Sequence, residues 1–533
     1  MTRARTVLVI AAVLFLWNVW GHDLWAPDEP YFGEGAREMV VDGQWAVPHV
    51  NGVVTTDKPP LFFWLIALFS LPLGKVITLT ARLPSILAAL GTVALAMRLG
   101  RRASDARTAM LAGFVLCTLY MFWEKARWSQ IDSTLCFLIW AALSAFATFR
   151  AGEADGRKAG LLFWAAAALA VLAKGPVGLL LPLGIVLVTL AVDRELSRWR
   201  AFAPLAGPGL FVLIIAGWIV LASTSGADYS VWGALKEHFI DRGIHGMHHR
   251  QPFWYYLRVL PPLLLPWTGL IPLAYVLAWR RRDPTDRFLM VVTLFVVLFF
   301  SISTEKRELY ALPAYPAFAL MIARGVGRVL DWEPAVHRSP DPRWLNWGQG
   351  LTGCLLLLIG MALPFAGRQV EQIPYWIPVV LTIVLVLVGV TTLTAVARGH
   401  GLVAALTPAA GFAVIYLFVA TTLLPALDPV KSGRAFALKI KEATAESRAA
   451  GGRVMAYGLD NLPETFAFHS DGVYTVETTK TQTLIEHLEQ AAPVFAVING
   501  EGFGELPDEL RASIREVDRT RLARRDVLLI ANH

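Results

Sequence analysis

Along most of this chain apolar residues do not alternate with polar ones; they run together. Apolar stretches of about 18–22 residues recur, the length that crosses a bilayer as a helix. Strands of a membrane barrel would instead alternate over about 10 residues. The pattern predicts a first helix ending near Trp20, then spans near 77–97, 108–123, 132–149, 160–173, 177–192, 205–222, 259–279, 288–301, 309–327, 350–366, 376–397 and 402–424. That makes about thirteen helices, although the pair flanking Lys174-Gly175-Pro176 also reads as one broken helix. The first run follows Arg3 and Arg5 and resembles a signal peptide. It ends in bulky Trp17-Asn18-Val19-Trp20 rather than a small-residue cleavage site, so it reads as an uncleaved helix.

Beyond residue 425 the pattern changes. Short β-rich runs at Arg453–Tyr457, Gly472–Glu477, Pro493–Ile498 and Asp526–Ile530 separate helical patterns at Gly433–Arg448 and Thr481–Gln490. Two domains are expected: a membrane domain over 1–425 and a small α/β domain over 426–533. After an odd number of spans the second would be periplasmic. It has no glycine fingerprint and no nucleophile motif.

Composition sharpens the picture. Of 533 residues, 56% are hydrophobic and 17% charged, where a soluble domain carries about 25% charge. A soluble enzyme and a disordered chain are excluded, leaving a polytopic α-helical membrane protein. The net charge of +7 does not point to nucleic acid. From Asp428 onward there are 13 Lys and Arg against 16 Asp and Glu, so the membrane part holds +10. Its arginines fall in alternate short loops, among them Arg98/Arg101/Arg102/Arg107, Arg150/Arg157/Lys158, Arg194/Arg198/Arg200, Arg280/Arg281/Arg282/Arg287 and Arg324/Arg328/Arg338/Arg343. By the positive-inside rule these face the cytoplasm, which puts the opposite, odder loops outside. Cys117, Cys136 and Cys354 sit in apolar runs and make neither a disulfide framework nor a metal pattern.

The first outer loop, about Gly21–Lys75, carries the densest chemistry. It contains Asp28-Glu29-Pro30-Tyr31, then an amphipathic helix with Glu34, Arg37 and Glu38 on its polar side. Gly43-Gln44-Trp45, Pro48-His49, Asn51-Gly52 and Asp57-Lys58-Pro59-Pro60 follow, and an apolar interfacial segment starts at Leu61. A carboxylate at a membrane surface suits general-base chemistry, since partial burial raises its pKa toward working pH. Taken alone, the Asp28-Glu29 pair also fits a helix cap with an acidic first turn.

This order of residues resembles the first periplasmic loop of the bacterial transferases that add 4-amino-4-deoxy-L-arabinose to lipid A. Those enzymes stand with protein O-mannosyltransferases among the GT-C glycosyltransferases. Further similar pieces follow in order: Arg127-Trp128-Ser129-Gln130-Ile131-Asp132, Ala173-Lys174-Gly175-Pro176, Glu237-His238 with Arg242, His249-Arg250-Gln251-Pro252 running to Tyr256, and Lys306-Arg307-Glu308-Leu309-Tyr310. The resemblance covers about residues 1–425. It implies a GT-C fold with about thirteen transmembrane helices, juxtamembrane helices in the first outer loop and a periplasmic C-terminal domain. It implies a polyprenyl (undecaprenyl) phosphate sugar as donor, lipid A or another envelope glycolipid as acceptor, and an inner-membrane enzyme with its site facing the periplasm. No nucleotide cofactor is then needed. Membrane lipids are the remaining partners, nucleic acid is none, and a monomer is expected.

The reaction needs cations for the departing lipid phosphate, carboxylates near the anomeric carbon, and an oriented acceptor oxygen. Asp28, with Glu29 beside it, is the acceptor-side carboxylate and base. Asp132 matches a second family carboxylate, and alone would read as a helix cap. Lys58, Lys174 and Arg242, then Lys306 and Arg307, are phosphate ligands. Tyr31, Tyr255, Tyr256 and Tyr310 read as interface aromatics, with Tyr31 and Tyr310 assigned to the donor. His238, His245, His248 and His249 cluster without a tight zinc spacing. The family's metal-linked positions match Asp57 and His238, which implies a divalent ion, Zn or Mg. The chain departs from the family at Asp57, where the family has Glu, and at Pro30, where it has Arg. A protein O-glycosyltransferase is the alternative enzyme. A lipid or sugar transporter would place its polar residues at the midplane, whereas here they gather at one face.

Overall fold

A computed structural model describes residues 2–202, 205–226, 250–281, 283–330, 332, 343–369, 372–460, 462–522 and 525–532. Every expected span is helical. Among the described residues nine helices are long and apolar enough to cross a membrane, or up to 11 if two bent pairs each form one span. The chain is a multi-pass membrane protein. The bent pairs are Ala106–Thr118 with Tyr120–Arg127, at 67°, and Tyr255–Leu263 with Thr268–Arg281, at 117°. Two other expected spans, Ala4–Leu16 and Val177–Val192, are shorter apolar helices.

The segments around Gly175 form two helices rather than one. Gly156–Lys174 ends where Gly175 takes a left-handed φ of 72°, and Val177–Val192 follows. The chain doubles back so tightly that a Cβ on Gly178 would lie 2.2 Å from the Ala170 carbonyl carbon.

The chain divides into two compact units. The first comprises Met1–Val19, Thr56–Leu61 and Pro84–Leu423; the second comprises Trp20–Thr55, Phe62–Leu83 and Leu424–His533. In the first unit several arginines expected as loop charges are buried or held in ion pairs instead. Arg324 and Arg328 lie in the helix Tyr315–Val329 and pair with Asp283 and Asp286. Arg150 and Arg287 share Asp193, at 2.5 and 2.6 Å. A guanidinium stays charged when taken out of water, so carboxylate partners of this kind offset the cost of desolvating it.

The second unit is built on a mixed sheet. Its strands are β3 (Val454–Tyr457), β4 (Thr475–Thr478), β5 (Phe495–Asn499), β6 (Arg515–Leu522) and β7 (Arg525–Ala531), in the order β4-β3-β5-β7-β6. β4, β3 and β5 are parallel, and β7 and β6 add as an antiparallel hairpin. One face carries Val454, Val497 and Leu529 against Phe436, Ile440 and Phe466. The other carries Met455, Ile498 and Ile530 against Leu484, Leu488 and Leu506. Because both faces are covered, β3 and all of β5 but its last residue, Asn499, are apolar, as is β7 from Val527 onward.

The same unit includes the first-loop elements: the helix Asp28–Asp42, the tiny hairpin β1 (His49–Val50) and β2 (Val53–Val54), and the helix Leu61–Ser70, all but its first residue. Gly33 and Gly35 let the first of these helices pack closely. A Cβ there would sit 3.0 Å from Phe468 and 2.5 Å from Phe63, respectively.

Candidate active site

Neither expected cap is a cap. Asp28 opens the helix Asp28–Asp42, whose N-cap residue is Pro27, and no side chain caps it. Its acidic first turn is nonetheless favoured by the helix dipole. Asp28 is half-buried, whereas Glu29 is fully buried. Arg82 grips Glu29 through two parallel bonds, Nε to Oε1 at 2.7 Å and Nη2 to Oε2 at 2.8 Å. The Trp25 N–H adds a third at 3.1 Å. Arg82 also donates to the Asp23 carbonyl at 2.8 Å and lies 3.1 Å from His22 Nδ1. Glu29 was expected beside Asp28 as a second reactive carboxylate; its oxygens are turned instead to an internal anchor under the helix start. Asp428 completes that anchor by accepting from Trp25 Nε1 at 2.6 Å.

The expected polar side of this helix does not face solvent. Glu34, Arg37 and Glu38 are all buried. Arg37 forks onto Glu34 at 2.7 and 2.8 Å and donates to the Tyr474 hydroxyl at 2.9 Å. Tyr474 in turn donates to Asp42 at 3.0 Å, and Glu38 accepts the Gly52 N–H at 3.0 Å. Burial raises the pKa of Glu34, with Arg37 opposing it. Burial and the charge of Glu34 push Glu38 up to about 8, against the opposing Gly52 bond. Burial, helped by the charge of Glu38, pushes the Tyr474 hydroxyl up to about 12. Asn51, with a left-handed φ of 58°, pairs with Thr475 of β4 as another strand would: its amide donates to the carbonyl and accepts the N–H, both at 2.9 Å. Tyr31 shares a hydrogen bond of 2.9 Å with Thr55 and packs on Phe63.

In the first unit three expected residues meet. Asp132 stands in the first turn of the helix Ile131–Arg150 and Lys174 is the last residue of Gly156–Lys174. Each charge sits at the helix end that favours it. Lys174 Nζ donates to Asp132 Oδ1 at 2.5 Å and lies 4.7 Å from the centre of the Tyr310 ring. Tyr310 belongs to the 3-10 segment Glu308–Ala314, which Trp140 Nε1 ties to the Asp132 helix through the Pro313 carbonyl at 2.8 Å.

The loop before Tyr310 is pinned from the other side. Tyr256 donates to the Arg307 carbonyl at 3.0 Å and Tyr255 to the Glu308 carboxylate at 3.2 Å. Lys306 is buried and donates to the Gln251 carbonyl at 2.9 Å and to the Ser303 carbonyl. Arg307 lies between this buried lysine and Glu308. Lys58 is half-buried and bridges to its neighbour Asp57 at 2.8 Å.

Arg242 and His238, with Glu237, His245, His248 and His249, lie outside the described residues. Among the described residues no three His, Cys, Asp or Glu side chains converge as a metal site. Sequence reasoning missed Arg82, Tyr474 and Asp428. Arg82 is one polar residue in a predicted span, a signal worth reading because a charge inside a membrane helix needs a partner. The other two had no local signal.

The chain's residues 57–220 match the family described as dolichyl-phosphate-mannose-protein mannosyltransferase. The undecaprenyl phosphate-alpha-4-amino-4-deoxy-L-arabinose arabinosyl transferase of Pseudomonas paraeruginosa is 30% identical over 376 residues, covering 68% of this chain and 65% of the relative. Its counterpart from Aeromonas salmonicida is 30% identical over 347 residues, 64% of this chain and 62% of the relative. The matched region thus spans a little under two thirds of these relatives. The crystal structure of ArnT from Cupriavidus metallidurans bound to undecaprenyl phosphate superposes with a TM-score of 0.80 at 21% identity, over 99% of this chain and 98% of that one. The oligosaccharyltransferase AglB from Archaeoglobus fulgidus gives 0.54 at 12% identity, over 93% and 69%. The chain has the GT-C glycosyltransferase fold.

Proposed function

We propose that this protein is an inverting glycosyltransferase of the bacterial inner membrane, working at the periplasmic face. It moves a sugar, 4-amino-4-deoxy-L-arabinose in the leading reading, from undecaprenyl phosphate to lipid A or another envelope glycolipid. The observation that carries this reading is the Lys174 ammonium, held by Asp132 and Tyr310 at the junction of three helical elements. The 30% identity to named arabinosyl transferases supports the donor class.

The acceptor oxygen attacks the anomeric carbon from the face opposite the lipid phosphate. A bond forms between them, and the bond from that carbon to the phosphate oxygen breaks with its electron pair staying on the phosphate. The leaving lipid phosphate gains a negative charge, so Lys174 and Lys58, with Arg242, Lys306 and Arg307 as further cations, lower the barrier most as that charge develops. Tyr31 and Tyr310 orient the donor. Asp28 takes the proton if the acceptor is a hydroxyl; a phosphate acceptor attacks as an anion and Asp28 orients it. Asp132 aligns Lys174 and faces the positive charge growing on the sugar. Glu29 acts through Arg82 as a positioning residue for the Asp28 helix.

A divalent ion on Asp57 and His238 belongs to the same proposal. Asp57 is the one ligand of that pair among the described residues, and Lys58 already sits on its carboxylate. No step is therefore routed through a metal. EDTA treatment followed by Zn or Mg tests it: a rate lost and then restored supports the ion, and an unchanged rate removes it.

A second reading, a protein O-mannosyltransferase using the same donor class, rests on the match of residues 57–220. One experiment separates the two. Purified protein in liposomes receives the undecaprenyl-linked aminoarabinose or mannose, together with lipid A and an envelope protein extract, and mass spectrometry follows each acceptor. Aminopentose on lipid A supports the first reading and hexose on protein the second. Transfer to neither would sink both.

A further inference from the structure

The C-terminal sheet has a crevice where β3 and β5 end. After β3 the chain passes through Leu459 and Leu462 to the helix Pro463–His469 on one face of the sheet. After β5 it passes through the helix Gly500–Glu505 to Leu506 on the other face. Two neighbouring parallel strands whose chains leave to opposite faces part at their carboxyl ends, and open α/β sheets hold ligands in that gap. A cavity of about 800 Å³ fills it, a size that suits a small-molecule site.

Its walls select the ligand. Gly458 and Gly500 contribute backbone to the lining, with the Asn499 side chain lying against Gly458. Glu501 and Asp526 present planar carboxylates, which bind paired hydroxyls, and Phe503 offers a ring for the apolar face of a sugar; Asn499 caps the helix Gly500–Glu505 by accepting the Gly502 N–H at 2.7 Å. The β6–β7 hairpin contributes a guanidinium rim. Arg519 forks onto Glu516 and Arg525 pairs with Asp460. Arg521 is exposed and pairs with Asp526 through the strand register, while its side chain makes neither hydrogen bond nor ion pair with another described residue. A planar guanidinium left available in a polar crevice matches phosphate geometry. The balancing carboxylates disfavour a bare anion, and so few apolar walls disfavour a greasy ligand.

We propose that this crevice is a second saccharide site, specific for a phosphorylated sugar, with Arg521 on the phosphate. It uses no residue of the transfer site, so it stands or falls apart from the proposed transferase activity.

The test titrates the full-length protein in detergent with glucosamine phosphate, glucosamine and inorganic phosphate separately, by calorimetry. The phosphorylated sugar should bind at least about tenfold more tightly than either half. Arg521→Ala should weaken it by about tenfold. Gly504→Trp should abolish binding, because a Cβ on Gly504 meets nothing within 4 Å and the ring can fill the crevice without disturbing the fold. Asp28→Asn and Lys174→Ala should leave it unchanged. Three results overturn the proposal: no saturable binding, inorganic phosphate binding equally well, or binding untouched by both crevice variants.

Discussion

Glu29 with Arg82, and Asp132 with Lys174, are both carboxylate–cation pairs near helix ends, yet they are built differently. The side chains of the first pair are 0% exposed on both partners. Its guanidinium is forked, its carboxylate takes a third bond, and its loss would strand a buried charge. The second pair is 8% and 17% exposed, and its bond is one contact between a flexible amine and one oxygen. An incoming phosphate can compete for a single lysine contact more easily than for a bidentate fork. Anchors and working groups therefore differ less in residue type than in how many bonds must break to free them.

The largest expected effect tests the working side. Asp28→Asn should insert and fold but lose transfer by about 100-fold or more if the acceptor is a hydroxyl; near wild-type turnover in liposomes would remove its role. Lys174→Ala should cost about 100-fold in rate, and Asp132→Asn made on top of it should cost little more, since the two act as a unit. Fully additive losses would break that coupling. Next comes the anchor. Arg82→Met leaves Glu29 buried without its partner and should destabilise the protein by about 3–5 kcal/mol, seen as a lower melting temperature in detergent. Arg82→Lys should rescue only part of it, because the fork is lost; full rescue would contradict the comparison.

A smaller effect depends on pH. Glu38 titrates at about 8 in the fold against an ordinary 4.5. Between these values the folded state binds more protons than the unfolded one, so this group's contribution to stability falls as pH rises. Glu38→Gln should thus raise the melting temperature more at the top of that window than at the bottom, with a difference on the order of 1 kcal/mol or more. An equal shift at both ends would show that Glu38 is not held protonated. The smallest effect is expected from Tyr474→Phe, about 1 kcal/mol for a hydroxyl that links Arg37 to Asp42.

The spans were legible because membrane helices are written as long local runs, and β3, β5 and β7 because their buried stretches are apolar, from Val527 onward in β7. Strand β6 escaped because Arg515–Leu522 is charged and lies at the sheet edge, where no apolar signature is required. Lys174 and Asp132 stood out because a lysine before Gly-Pro and an aspartate at a helix start carry local signals. Their contact, across 42 residues of sequence, did not. The polar side of the Asp28 helix was misread as solvated for a like reason. An amphipathic pattern says that a face is polar but not what covers it, and here the cover includes Tyr474, 437 residues onward.

That separation gives the molecule a timetable. Asn51 finds its strand partner in Thr475, 424 residues later in the chain. At a ribosomal pace of about 5–20 residues per second, roughly 20–80 s pass between the birth of the first outer loop and the birth of the strand that closes it. Over that interval Glu34, Arg37 and Glu38 have no Tyr474 and β4 to fold against, so the helix carrying Asp28 waits for partners made long after it. The late sheet in this sense licenses the early loop: only a chain translated past β4 can set the first loop in its final form.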